Sequence, residues 1–157
     1  MLPLIRTCRS LVVACLFASF THAVEPALFA KNSLKQIESG YAGQPFLISV
    51  WSLDCTPCFR ELQMLGEIKR ENPDFNLVLI STDAPERAEE VELFLNKFQL
   101  AQANSWIYSS TETERLSYSL DSQWYGEMPR TYFYDRQGER EAVSGLLPEQ
   151  VLREWMQ

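Results

Sequence analysis

Histidine is nearly missing from this sequence: His22 is the single one in 157 residues, beside four cysteines and six glycines. Fourteen basic residues stand against twenty-one acidic ones, a formal charge of −7, and no basic block interrupts the acidic excess. That balance leaves no electrostatic footprint for nucleic acid and disfavours anionic membrane surfaces. No apolar run approaches the roughly 20 residues that a spanning helix needs. Internal repeats, low-complexity tracts and Pro/Gly/Ser linkers are absent as well, so the length reads as one domain. A chain 46% hydrophobic and 22% charged is globular in composition.

The first stretch has its own grammar. Arg6 and Arg9 precede the apolar run Leu11 to Phe20, and small residues follow at Thr21 and Ala23. This order predicts a secretory signal over residues 1–23, cleaved after Ala23. The run is short for a permanent anchor. The alternative is a lipoprotein signal, since Val12-Val13-Ala14-Cys15 resembles a lipobox, although only Ser10 and Leu11 separate it from Arg9.

Removal of residues 1–23 leaves 24–157, with a charge of −9 from 12 basic and 21 acidic residues. Cys8, Cys15 and His22 leave with the signal, and only Cys55 and Cys58 remain. Without histidine, Ser-His and Cys-His nucleophile pairs are excluded, as are histidine-containing zinc and copper sites. Two cysteines are too few to staple a scaffold, and a core of this size needs no staple. They point to chemistry.

Hydrophobic periodicity predicts alternating strands and helices. Residues 24–45 begin loosely, with a short helix near Ser33 to Glu38 and punctuation at Gly40, Gly43 and Pro45. Phe46 to Trp51 reads as a strand covered on both faces. Cys58, Leu62, Leu65 and Ile68 keep helical spacing until Asn72-Pro73. Leu77 to Ile80 is a second buried strand. Asp83 with Glu86 resembles a capping box, opening a helix that turns Val91, Phe94, Leu95 and Phe98 inward. Trp106 to Tyr108 is a weaker strand, Thr113 to Leu120 a short helix, and Thr131 to Tyr134 a third strong strand. A turn at Arg136-Gln137-Gly138 leads into Glu139 to Ser144 as a hairpin. Pro148 opens a last helix with Val151, Leu152 and Trp155 facing the core. The fold class is α/β, a central mixed β-sheet flanked by helices on both faces.

Cys55-Thr56-Pro57-Cys58 falls between a buried strand and the first turn of a helix. Free N–H groups and the partial positive charge there stabilise a thiolate. Helix geometry exposes Cys55 and turns Cys58 inward. Cys55 would attack a substrate disulfide, and Cys58 would resolve the mixed disulfide. Pro57 suits a first turn, where its missing N–H costs nothing. Other readings stay open: a structural disulfide, though it closes too short a loop to stabilise much, a zinc site shared between two chains, or a two-thiolate Cu(I) carrier.

From these residues on, the chain resembles the thioredoxin-like proteins, specifically exported thiol–disulfide oxidoreductases of the TlpA/ResA type, over about residues 34–157. Trp51 stands four residues before Cys55, as in the family's aromatic-x-x-x-Cys-x-x-Cys segment, and Glu61 fits the Cys-x-Pro-Cys-x-x-Glu pattern of the ResA-like branch. Met128-Pro129-Arg130-Thr131, ahead of a strand, is similar to the family's proline loop, and Gly138 to the glycine of its final hairpin. The resemblance implies a thioredoxin fold and a cis proline at Pro129 that faces the cysteines and offers backbone to an extended substrate. It also implies location in a bacterial periplasm. Its partners would be disulfide- or thiol-bearing proteins, with a membrane electron-transfer protein as reductant and no cofactor. The reductase direction is favoured; oxidase or isomerase activity is the alternative within the class. Asp54, Ser49 and Gln63 depart from the residues the family commonly carries there.

Single residues keep two readings each. Glu61 either tunes thiol protonation or is a solvated helix carboxylate. Trp51 packs beside the thiols or simply fills the core. Asp54 places a carboxylate next to the nucleophile, with only Arg60 near in sequence to offset it. Glu127, Met128 and Arg130 border the substrate groove if Pro129 does. Trp124-Tyr125 forms an exposed patch beside that loop or joins the core.

Overall fold

The structure is a computed structural model that describes residues 25–157. The expected signal at 1–23, with its lipobox alternative at Cys15, lies outside them. The elements run β1 (Ala27–Phe29), α1 (Ser33–Gly40), β2 (Phe46–Trp51), α2 (Thr56–Glu71), β3 (Leu77–Ser81), a 3-10 turn at Pro85–Arg87, α3 (Ala88–Lys97), β4 (Asn104–Tyr108), α4 (Thr113–Leu120), β5 (Arg130–Tyr134), β6 (Arg140–Ser144) and α5 (Glu149–Trp155). One sheet holds all six strands in the order β1-β4-β3-β2-β5-β6. The first four are parallel neighbours, and β5 runs antiparallel to both β2 and β6.

Alternation along the strands divides the core in two. Leu47, Trp51, Leu77, Leu79, Ile107 and Phe133 pack with side chains of α2, α3 and α5. Phe46, Ile48, Val50, Val78, Ile80, Tyr132 and Tyr134 pack on the other face with Ile37 of α1 and Leu116 and Leu120 of α4. Each such aliphatic side chain contributes about 1.5–3 kcal/mol on leaving water, which is why the near-continuous apolar runs become the central strands. Ser49 lies between Leu47 and Trp51 on the α2 face, opposite Thr131 of β5. Two buried hydroxyls thus sit side by side beneath the helix that carries the cysteines.

Three local expectations are corrected. Residues 27–29 are not a loose start but pair with β4; three residues with only Phe29 buried are too few to show alternation. Asp83 is not a helix cap: the 3-10 turn at Pro85–Arg87 has Ala84 at its N-cap position and no side-chain cap, and α3 begins only at Ala88. Its carboxylate is engaged instead by the Leu53 N–H and the Ser81 hydroxyl. Val151 is 42% exposed, not inward, because the short α5 lays only Leu152 and the Trp155 ring on the sheet, the latter 5.2 Å from Phe133.

Candidate functional site

β2 ends at Trp51, and the chain turns through Ser52, Leu53 and Asp54 into α2. Cys55 is the N-cap of that helix, in an extended conformation. Its carbonyl and its Sγ both accept from the Cys58 N–H, at 3.0 and 3.3 Å. Cys55 and Cys58 form a disulfide, with Cα atoms 5.3 Å apart. A thiolate at Cys55 would keep the Cys58 N–H as a donor and the helix end as a positive field.

Cys58 is fully buried and Cys55 is 8% exposed, less open than its place at a helix start predicts. Asp83 anchors the turn that leads into Cys55. Its carboxylate accepts the Leu53 N–H at 2.9 Å and the Ser52 hydroxyl at 3.2 Å, holding the turn down on the core. Pro57 occupies the first turn of α2 on its exposed side.

Glu61 is 1% exposed, so the solvated-carboxylate reading is excluded. One turn beyond Cys58, it points down onto the sheet. Its Oε1 accepts the Ser49 and Thr131 hydroxyls at 2.8 and 3.0 Å, and its Oε2 accepts the Leu147 N–H at 3.1 Å. Burial pushes its carboxyl above the ordinary range, against the opposing pull of those three hydrogen bonds.

Asp54 has a cation that the local sequence does not reveal. Arg87 reaches it at 2.9 Å, with the Asp54 side chain 81% exposed, and the same Nη1 lies 2.9 Å from Asp83. The two carboxylates flanking the turn share one guanidinium, which offsets part of the repulsion expected at the nucleophile. The Asp83–Arg87 spacing of four is that of an i,i+4 ion pair, a signal that competes with the capping-box resemblance of Asp83 and Glu86. The Leu147 N–H carried no sequence signal at all.

The Met128–Pro129 bond is cis. Antiparallel register sets Arg130 opposite Val50, so Pro129 lies beside the end of β2 where Trp51 stands. The Pro129 carbonyl accepts the Gly145 N–H at 2.8 Å. Met128 packs against the core cluster that contains Trp51, Cys55 and Cys58. Arg130 is engaged by Asp121 at 3.0 Å. Trp124 is buried, donating its indole N–H to the Glu127 carbonyl at 2.9 Å, whereas Tyr125 is 91% exposed. Among the described residues no group of three or more His, Cys, Asp or Glu side chains is arranged to hold a metal ion.

No protein-family model matches the sequence, and no curated protein matches it either. Solved structures do. A secreted Mycobacterium tuberculosis disulfide oxidoreductase, described as homologous to the E. coli protein DsbE, is 20% identical over 74% of this chain and 83% of its own, with a TM-score of 0.58. StoA from Bacillus subtilis is 20% identical over 74% of this chain and 84% of its own, TM-score 0.55. A thiol:disulfide interchange protein from Bacteroides sp. is 19% identical over 78% of this chain and 74% of its own, TM-score 0.57. The chain has the thioredoxin fold. On that fold the Cys55–Cys58 disulfide occupies the cap of α2, beside the cis-proline loop. Likeness at this level carries the fold alone, and the chemistry has to come from the site itself.

Proposed function

We propose that the protein is an exported thiol–disulfide oxidoreductase of the TlpA/ResA type, reducing disulfides in partner proteins through Cys55 and Cys58. The observation that carries this reading is the pair itself: a disulfide capping α2, its outer sulfur accepting the Cys58 N–H, its inner sulfur fully buried. In the reduced form the Cys55 thiolate attacks one sulfur of the partner's disulfide. A mixed disulfide forms, and the partner's other sulfur leaves as a thiolate and takes a proton. Cys58 then attacks the Cys55 sulfur, re-forming the intramolecular bond and releasing the second partner thiolate. Two electrons pass to the partner, and a dithiol, supplied by a membrane electron-transfer protein, restores the pair.

Glu61 is assigned to proton exchange with the Cys58 thiol, since it follows Cys58 by one turn and its raised pKa favours holding a proton in this buried place. Trp51 walls the pair, and Met128 with Pro129 presents backbone to the incoming strand. Asp54 and Asp83 together outnumber Arg87, so the turn before Cys55 keeps a net negative charge. That charge disfavours a second negative charge on sulfur. A less stabilised thiolate makes a couple that gives electrons away. The site of action proposed is the periplasm, since the similar Mycobacterium tuberculosis oxidoreductase is a secreted protein and a signal is expected at 1–23.

The test is turnover of an oxidised protein with chelator present, followed by equilibration of the couple against glutathione. Catalysis without metal and a potential nearer about −270 mV than about −120 mV are expected. A couple found largely reduced at the oxidant end of that scale would overturn the reductase direction. Loss of turnover on metal removal would favour a Cu(I) carrier.

A further inference from the structure

A groove of about 390 Å³ runs along α4 to the proline loop, lined among others by Thr82, Glu114, Tyr118, Trp124, Tyr125 and Met128. It joins the redox site by contact. Thr82 donates its N–H to the Trp51 carbonyl at 3.0 Å and its hydroxyl to the Met128 sulfur at 3.8 Å. Met128 in turn packs against the cluster holding both cysteines.

Two features of the groove do no work inside the chain. Tyr118 is 70% and Tyr125 91% exposed, the most exposed large apolar side chains among the described residues, and neither phenol hydroxyl is hydrogen-bonded there. Glu114 on the groove wall, and Glu127 between the lining residues Gly126 and Met128, also carry carboxylates without a partner among those residues, because Arg115 pairs with Glu112 at 3.1 Å and Arg130 with Asp121 at 3.0 Å. Tyrosines on the rim of a concave surface supply contact area at low entropic cost. Unpaired carboxylates beside them select a cation. Cys55, at 8% exposure, is open to a disulfide only along a narrow approach, so binding beyond the reacting sulfurs would hold the substrate in line.

We propose that this groove is a docking subsite for the protein whose disulfide is exchanged. It takes a segment near the substrate cysteine that carries an aromatic or large apolar side chain and a lysine or arginine. The assignment rests on the thiol–disulfide reading of Cys55 and Cys58. The occupant follows from the continuity of the groove with that pair and from the charge it leaves unpaired.

The experiment compares exchange rates of the reduced protein with three oxidants. These are glutathione disulfide, a disulfide-linked peptide with Phe and Lys beside its cysteines, and the same peptide with Gly and Glu there. Wild type should prefer the Phe/Lys peptide over the Gly/Glu peptide. In Tyr118→Ala/Tyr125→Ala, the ratio of the Phe/Lys peptide rate to the glutathione disulfide rate should fall about tenfold. Glu114→Lys/Glu127→Lys should reverse the preference between the peptides, most clearly at low salt. Equal loss on peptide and glutathione disulfide, or no loss on either, would overturn the subsite. So would a wild-type dimer in sedimentation that Tyr118→Ala dissociates, since the groove would then be covered by a second copy. Absence of any exchange with glutathione disulfide would overturn the reading of the cysteine pair, and the subsite with it.

Discussion

Glu61 concentrates the unusual electrostatics of the site in one side chain. Its raised pKa, caused first by burial, means that folding draws a proton onto it at a pH where the unfolded chain, near about 4.3 for glutamate, has lost one. Its contribution to stability is therefore full in acid and declines as pH rises through the folded-state value. Glu61→Gln removes that dependence and leaves the two acceptor positions unequal, so that one buried donor loses its partner at about 1–3 kcal/mol. The stability of wild type relative to Glu61→Gln, from urea midpoints between pH 4 and pH 8, should shrink with rising pH. A constant or growing difference would contradict the assignment. The spacing from Cys58 to Glu61 marked this carboxylate as a candidate, but the amphipathic pattern of a helix flank could not tell burial from exposure. The register that sets Ser49 opposite Thr131 decides it. Asp54 shows the converse: its neighbours in sequence contain the carboxylate's effect on Cys55 but not the Arg87 guanidinium, which arrives from the turn after β3.

Among the elements, α2 must carry the cysteine pair and also let another segment approach it closely. Gly66 makes the approach possible. A Cβ there would collide with the backbone carbonyl of Phe98, at the end of α3. Gly66→Ala gains about 1 kcal/mol of helix propensity but forces the α3 end to move, an overpacking cost of about 1–3 kcal/mol or more. A lower urea midpoint with an unchanged slope is expected; a stability equal to or above wild type would show that the approach is loose. The cis-proline loop is braced by another short device. Gly145, at φ +84, gives its N–H to Pro129, and two residues on Leu147 gives its own to Glu61. On the far side Asp121 holds Arg130, Arg140 and the Tyr132 hydroxyl. The long apolar runs and the stripe of α2 were legible because each buries a whole face. β1 and the start of α3 were not, because a three-residue edge strand and a 3-10 turn take their shape from partners distant in sequence.

At the scale of the described residues, an acidic chain with Cys55 and Cys58 as its cysteines and no histidine has little besides sulfur with which to do covalent chemistry. Strand order, two-sided core and helix cap all serve to hold that sulfur pair beyond the end of the central strand β2, beside the loop at Pro129 and near the groove along α4. Direction of electron flow depends on the sum of these local fields, and the order of attack depends on which sulfur is both accessible and held as a thiolate. The most direct measurement is to mix Cys58→Ser and Cys55→Ser variants with an oxidised protein, quench with acid, and identify by mass spectrometry which sulfur is held in a mixed disulfide. Cys58→Ser should trap the partner through Cys55, and Cys55→Ser should trap nothing. A partner held through Cys58 in the Cys55→Ser variant, with none held in the reverse case, would contradict the assignment of Cys55 as the attacking thiol.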